Sequence, residues 1–303
     1  MHIKTQFSIK DLENLASVKA HTIRIWEKRY NLLSPERTET NIRRYSMESL
    51  KRILNISFLY HNGYKISKIA ELSKQEITEA VKEKSLDNKE ILAINAFKTA
   101  MFEFDIQLFN EAYNELKKEK SFSKIFKEVF IPLLKDIGFL WQIGTIDPIH
   151  ESFISESIKQ KIILNIDSKQ KKATRDNGYT FVLFLPYEEV HDIGLMFAHY
   201  KVVSAGYKTI YLGSSIPMED LKNLLKHKEE IIFLTYLTLQ PQGNKPYNFI
   251  KNFIKTTCTD EDCSLWIMGP KAKLLAKEKT PSNISLISSF TSFNDHIKRL
   301  KKS

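Results

Sequence analysis

The chain has few cysteines, glycines and prolines, and it has no long apolar run. Its 303 residues include 2 cysteines, 9 glycines and 9 prolines. Cys258 and Cys263 form a C-x4-C pair without nearby histidine, which is a poor zinc pattern, so we expect reduced thiols. No segment approaches the roughly 18 apolar residues of a membrane span, and the start MHIKTQ lacks the apolar core of a signal peptide. These absences predict a cytoplasmic protein without a membrane partner.

The composition is that of a folded chain whose positive charge is concentrated at one end. With 42% apolar and 27% charged residues, 303 residues are enough for two or three domains with real cores. Residues 1–75 contain 14 Lys or Arg against 7 Asp or Glu, so this segment carries +7 of the total net charge of +10. An ordinary solvated surface would spread its charge more evenly. The local excess indicates a phosphate-binding module.

A helix-turn-helix pattern lies within this basic segment. Ser8 can cap a helix of sequence IKDLENLA, a tight turn follows at 17–19, and a second helix begins at Ala20. Basic residues occur on this second helix and again on a polar segment without helical periodicity. We expect a helix in a DNA groove and a wing on the backbone phosphates. The predicted DNA-binding residues are His21, Thr22, Arg24, Lys28, Arg29, Arg37, Arg43, Arg44 and Tyr45.

Two motifs in this region resemble the MerR family of winged-helix regulators. The run TIRIWE at 22–27 resembles the family's Thr-apolar-Arg-aromatic-aromatic-Glu run, with Ile25 in place of an aromatic residue. The run RTETNIRRY at 37–45 resembles its wing, with Asn41 in place of glycine; asparagine also tolerates a positive φ. The resemblance implies binding to a double-stranded DNA operator. A buried stripe is expected from the helical spacing of Ile23, Trp26, Tyr30 and Leu33.

The remaining chain predicts three domains. Helices at 47–61 and 66–71 complete a winged helix-turn-helix domain at 1–75, and the polar segment 74–90 is expected to be a linker. Helical periodicity continues to residue 168 and predicts a four-helix bundle at 88–168. A second predicted linker covers 169–177. Alternating apolar strands and amphipathic helices from 178 to 303 predict a doubly wound, flavodoxin-like parallel sheet, whose ligands bind at the carboxyl ends of its strands.

The loop after the first predicted strand of this sheet contains a histidine, His191. A surface histidine is the ordinary alternative, but imidazole is a common metal ligand, and Glu189 or Asp192 can fix its tautomer. Glu189-x-His191-x-x-Gly194 resembles the Asp/Glu-x-His-x-x-Gly motif of cobalamin-binding domains. That resemblance implies that His191 is the lower axial ligand of cobalt.

The order of domains also resembles the cobalamin-dependent CarH/LitR branch of MerR regulators. The resemblance implies that Trp141 and Glu151 contact the upper face of adenosylcobalamin or another cobalamin. It also implies a slot for the nucleotide tail of the cofactor at Thr235, Leu237 and Gly269. The chain departs from the family pattern at three further positions: Ser152 replaces a histidine, Gln142 replaces the histidine that captures cobalt after light, and Pro270 replaces a glycine.

Three functions remain open from the sequence. The first is a transcriptional regulator whose cobalamin controls self-association and operator affinity, acting as a homodimer or homotetramer. The second is a MerR-type regulator whose sensor half binds another ligand or a protein. The third, a cobalamin-dependent enzyme module, is disfavoured by the DNA-binding head and by the lack of a catalytic constellation, so we predict no catalytic residues and no enzyme activity.

Overall fold

The computed structural model describes residues 4–84, 88–171, 178–226, 230–239, 245–258, 263–275 and 280–300. Contacts divide the chain into two compact units, Met1–Ile158 and Lys159–Ser303. Within the described ranges, no helix is both long and apolar enough to cross a membrane. The three predicted domain boundaries remain predictions.

The first unit begins with a winged helix-turn-helix. Ser8 and Asp11 form a capping box at the start of the first helix, and Ser17 ends it in the left-handed conformation. The turn at 17–19 therefore lies where the sequence placed it. The elements are β1 Gln6–Phe7, α1 Ile9–Ala16, α2 Ala20–Tyr30, β2 Glu36–Arg37, β3 Arg43–Ser46, α3 Met47–His61, α4 Ile66–Glu71 and α5 Lys74–Lys84.

The wing is an antiparallel hairpin, in which Arg37 is paired with Arg43. Asn41 has a φ of 62°, so asparagine supplies the left-handed turn residue that was expected at this position. Strand β3 lies between β1 and β2, and this places the wing beside the start of the chain.

The expected linker at 74–90 is wrong for most of its length, because 74–84 form helix α5. Ile77 and Val81, one helical turn apart, are both buried, and α5 packs against α3. Two apolar residues among many charged ones make too narrow a stripe to stand out in the sequence. Residues 85–87, where a break was expected, lie outside the described ranges.

Four helical segments follow, as predicted for the bundle. Asp105 caps the second and Ser121 the third. The third segment is interrupted by a π-helical turn at 126–130, just before Pro132. Proline has no N–H and its ring clashes with the carbonyl four residues earlier, so the helix widens there. The helices are α6 Lys89–Glu103, α7 Ile106–Glu119, α8 Phe122–Ile125, α9 Ile131–Gln142 and α10 Pro148–Gln170.

The second unit contains a five-stranded parallel sheet, which confirms the flavodoxin-like prediction. The elements are β4 Thr180–Pro186, α11 Ile193–Ser204, β5 Lys208–Ile216, α12 Met218–Leu225, β6 Ile231–Tyr236, α13 Lys245–Thr256, β7 Cys263–Met268, α14 Ala272–Leu275, β8 Ile284–Leu286 and α15 Phe290–Leu300. The strand order is β5-β4-β6-β7-β8. Strands β4, β6 and β7 are almost entirely buried because helices cover both faces, whereas the edge strand β5 is partly exposed.

Two further expectations need correction. Helix α10 extends to Gln170, so the predicted linker at 169–177 begins inside the helix, and residues 172–177 lie outside the described ranges. Cys258 and Cys263 are joined as a disulfide with their Cα atoms 5.7 Å apart, whereas reduced thiols were expected. Cys258 follows α13 and Cys263 begins β7, and the fold brings these two residues together. Their spacing in the sequence does not reveal this proximity.

The packing of α5 yields a stability prediction. Replacing Ile77 with alanine should lower the free energy of unfolding by about 2–5 kcal/mol, because a buried side chain leaves a cavity. Gln75→Ala on the exposed face of the same helix should change it by less than about 0.5 kcal/mol. Urea unfolding of the full chain measures both, and equal small effects would mean that α5 behaves as a linker.

Candidate functional site

The two basic parts of the head present most of their predicted DNA-binding residues to solvent. Helix α2 is held by Ile23 and Trp26, which are buried on its inner face. The opposite face of α2 is therefore exposed to solvent, and so is most of the wing. Exposed predicted residues on α2 and the wing are His21, Arg24, Lys28, Arg29, Arg37 and Arg44, while Thr22 is half-buried.

A carboxylate on α2 holds the wing in place. One Glu27 oxygen accepts a hydrogen bond from the Tyr45 hydroxyl, and the other accepts from Arg43 Nε at 3.1 Å. Tyr45 is only 1% exposed. Burial and the Glu27 carboxylate raise the pKa of the Tyr45 phenol above its ordinary value, so this hydroxyl remains a hydrogen-bond donor.

Two of the predicted DNA contacts, Arg43 and Tyr45, are less open to solvent than the other predicted contacts on the wing. Tyr45 is enclosed and acts as a support of the wing, and the Arg43 guanidinium is engaged by Glu27 in a partly exposed position. From the sequence, Glu27 was recognised only as the last residue of the TIRIWE motif. Its partners are 16 and 18 residues away in the chain, and no local pattern connects them.

In the second unit, His191 lies at the carboxyl end of β4 with its side chain 42% exposed. Its Nδ1 is 2.7 Å from an oxygen of Glu189, and the same oxygen accepts from the His191 backbone N–H at 3.0 Å. A neutral imidazole that donates from Nδ1 leaves Nε2 with a free lone pair. Of the two acidic residues considered for this role, Glu189 is therefore the one that orients the ring.

Glu189 is itself held from the neighbouring strand. The residue is fully buried, and its second oxygen accepts from the backbone N–H groups of Thr238 and Leu239 at 3.0 and 2.9 Å. These residues follow β6, so the carboxylate connects two adjacent strand ends. Asp192 has another partner, Lys159 Nζ at 3.0 Å.

The predicted tail slot contains a buried hydroxyl without a partner. Thr235 is fully buried at the end of β6, and its Oγ1 makes no hydrogen bond to any residue in the described ranges. Gly269 has a φ of 96°, and a Cβ there would lie 2.4 Å from the Leu237 carbonyl oxygen. Gly194 is equally restricted, because a Cβ would meet the Tyr236 ring at 2.5 Å. The glycines thus allow close backbone and ring contacts around Thr235 and Leu237.

On the bundle, the predicted upper-face residues flank the connection between α9 and α10. Trp141 is 52% exposed at the end of α9, unusual for so large an apolar side chain. Glu151 is half-buried in the first turn of α10. Gln142 and Ser152, two of the positions that depart from the family pattern, are both exposed.

Two family patterns match this chain, one in the head and one in the bundle. The MerR HTH family regulatory protein pattern matches residues 7–76, and the B12 binding domain pattern matches residues 93–164. The HTH-type transcriptional repressor CarH of Myxococcus xanthus is 27% identical over 222 residues, which are 71% of this chain and 73% of that protein. The HTH-type transcriptional regulator MlrA of Escherichia coli is 31% identical over 70 residues, 23% of this chain and 29% of that protein.

A solved structure supports the fold alone. The monomethylamine corrinoid protein of Methanosarcina barkeri aligns with a TM-score of 0.55 and 10% sequence identity, over 67% of this chain and 96% of that chain. The head thus carries the pattern of a MerR-type DNA-binding regulatory domain, and the bundle carries the pattern of a B12-binding domain. Over 71% of its length the chain is similar to the repressor CarH.

The exposed basic residues lead to a prediction about DNA binding. Arg44→Ala on the wing should weaken binding to all duplexes by a similar factor and reduce the slope of log affinity against log salt by about 1, as a phosphate contact does. Arg24→Ala on α2 should cost about 1–3 kcal/mol on the preferred sequence and less on random DNA.

Fluorescence anisotropy with selected and random duplexes at several salt concentrations measures both variants. Lys74→Ala, on an exposed lysine of α5 that pairs with Glu48, is the matched control and should change neither quantity. If Arg24→Ala and Arg44→Ala lost the same factor on both duplexes, the separation of base and phosphate contacts would be rejected.

Proposed function

We propose that this regulator binds cobalamin through His191 and that the cofactor controls its affinity for an operator. The observation that carries the proposal is the contact between His191 Nδ1 and the buried Glu189 carboxylate. It fixes the tautomer in which Nε2 is the free donor atom, as histidine ligands of metals require. If cobalamin were bound, it would supply a cobalt ion that His191 Nε2 would hold.

The residues around His191 suit a metal that brings most of its own ligands. Among the described residues, no three His, Cys, Asp or Glu side chains are grouped as they would be for a metal held by protein alone. A single oriented histidine would suit a cobalt ion that the cofactor itself already holds. The unpartnered Thr235 hydroxyl and the close-packed Gly269 would hold the nucleotide tail.

The loop surfaces near His191 also match a large, flat and partly apolar ligand. Tyr187, Val190 and Leu239 are strongly exposed apolar side chains in the loops that carry His191 and hold Glu189. Such an exposed apolar group is typical of a ligand or partner surface. On the bundle, Trp141 and Glu151 are proposed contacts of the cofactor's upper face, in keeping with the family resemblance.

A DNA-binding head of this size makes few phosphate contacts, so useful affinity at cellular salt requires more than one head. We therefore propose a homodimer or homotetramer whose assembly differs between the cofactor-free and the cofactor-bound protein. Cofactor controls DNA affinity only if it binds one assembly more tightly than the other. The regulator would act in the cytoplasm, and we propose no enzyme activity.

A second candidate is a regulator of the same family whose sensor binds no cobalamin. Its support is Pro270, which places a ring beside Gly269 where the family has a second glycine, together with Ser152 and Gln142 on the bundle. The next experiment separates the two candidates.

The full chain should retain adenosylcobalamin after incubation in the dark and desalting, and show a visible spectrum with histidine on cobalt. His191→Ala should lose that spectrum, because the axial nitrogen is gone. Glu189→Gln should weaken retention about 10–100-fold, as the loss of an orienting partner does.

His61→Ala, an exposed histidine at the end of α3, is the control and should match the wild type. A colourless wild-type protein after desalting would reject cobalamin binding and support the second candidate. A His191→Ala spectrum identical to that of the wild type would reject His191 as the ligand.

Control by the cofactor has its own test. Gel filtration of the full chain with and without adenosylcobalamin should show a change of assembly, and the affinity for a selected duplex should change by about 5–150-fold. Titration of that duplex under both conditions gives the ratio. Identical elution together with unchanged DNA affinity would contradict control by cobalamin, even if the pigment is retained.

A further inference from the structure

The connection between α9 and α10 is hydrogen-bonded to the helix-turn-helix. Thr145 lies in this connection and is 1% exposed. Its carbonyl oxygen accepts from Lys4 Nζ at 2.8 Å, and its Oγ1 accepts from Asn14 Nδ2 at 3.0 Å. Lys4 also donates to Asp11 at 2.8 Å, and Asp11 and Asn14 both belong to α1. These contacts, more than 130 residues apart in sequence, tie the bundle to the first helix of the head.

The buried His150 lies at the same junction and is incompletely satisfied. Its Nδ1 accepts from the Asp147 backbone N–H at 3.1 Å, which places the proton on Nε2. The Nε2 atom is buried and has no hydrogen-bond partner among the described residues. Burial lowers the pKa of His150 from its ordinary value, in agreement with a neutral ring.

Aromatic contacts continue from His150 to the head. The His150 ring stacks on Phe104 with centroids 5.2 Å apart and lies 5.0 Å from Phe102. Phe102 in turn makes an edge contact with Phe7 of β1 at 5.0 Å. Phe104 has a φ of 53°, a left-handed conformation that a bulky side chain rarely adopts.

The buried His150 Nε2 and the strained backbone of Phe104 therefore belong to two residues whose rings are in direct contact. Both features disfavour the observed arrangement relative to one that relaxes them, and such sites are typical of segments that switch between two arrangements. The junction also lies between Trp141 and Glu151 in the chain. Along this connection, Thr145 is in direct contact with α1, because its hydroxyl accepts from Asn14.

We propose that Thr145 is a positioning residue that transmits the state of the Trp141–Glu151 segment to α1 of the DNA-binding head. The inference rests on the proposed function, since the signal it carries is cofactor binding. Thr145 touches neither DNA nor cofactor in this proposal. Its hydroxyl holds α1 in a fixed position relative to the bundle. A shift of the Trp141–Glu151 segment therefore moves α1 and changes the position of the adjacent helix α2.

The test compares Thr145→Val, Thr145→Ser and Thr99→Val in the full chain. Valine removes the hydroxyl at nearly constant volume, whereas serine retains it. Thr99 is the matched control, because its hydroxyl donates to the Asn95 carbonyl oxygen within its own helix α6. For each variant the dissociation constant for a selected duplex is measured with and without adenosylcobalamin.

The wild-type ratio of these constants is expected at about 5–150-fold. Thr145→Val should reduce the ratio below about twofold, with its cobalamin spectrum and cofactor-free DNA affinity unchanged, because only the coupling is lost. Thr145→Ser and Thr99→Val should retain the wild-type ratio. A full ratio in Thr145→Val would overturn the proposal.

A second measurement needs no cofactor and separates this proposal from the proposed function. Hydrogen exchange of cofactor-free protein should be faster in α1 and in residues 143–147 of Thr145→Val than in Thr99→Val. Equal exchange rates in the two variants would overturn the proposal that Thr145 positions α1. If the wild type does not respond to adenosylcobalamin at all, the proposed function fails, and the exchange result alone then decides whether Thr145 positions α1.

Discussion

The buried carboxylate of Glu189 is the group on which the sensor site depends. A charge without access to water is tolerated only when donors surround it, and here the donors come from the His191 backbone and ring and from two amides after β6. The strand order β5-β4-β6 brings these two loops together. His191 is therefore oriented before any ligand arrives, so less conformational entropy is lost on binding. The same contacts explain why Glu189, rather than Asp192, orients the His191 ring.

The head uses a similar device. Glu27 on the recognition helix holds Arg43 and Tyr45 of the wing, so that one carboxylate fixes the position of the hairpin relative to α2. This leaves Arg37 and Arg44 as the exposed basic residues of the wing. A connection that holds helix and wing together before binding reduces the conformational entropy lost when both contact a partner.

Within the first unit, the head and the bundle share a polar and aromatic junction at Thr145, His150 and Phe104. Two unfavourable features at this junction, an unpaired buried N–H and a left-handed phenylalanine, are compensated by the hydrogen bonds from Lys4 and Asn14. A regulator requires such a marginal element, because an equilibrium can be shifted by a ligand only when its two states are close in free energy. The bundle is thus more than a spacer between DNA and sensor.

The helix-turn-helix, the four helical segments and the alternating strands were predictable from sequence because periodicity, caps and turn residues act over a few positions. The residues proposed to bind cofactor and DNA, among them His191 and Arg44, were also recognisable from local motifs. Helix α5 was missed because only Ile77 and Val81 form its apolar stripe, and their burial depends on α3. The contacts of Glu27, Thr145 and His150 appear only in the tertiary structure, which also distinguishes Glu189 from Asp192 as the partner of His191. Each depends on partners that chain folding brings together, and a hydrogen bond between distant residues leaves no periodic trace in the sequence.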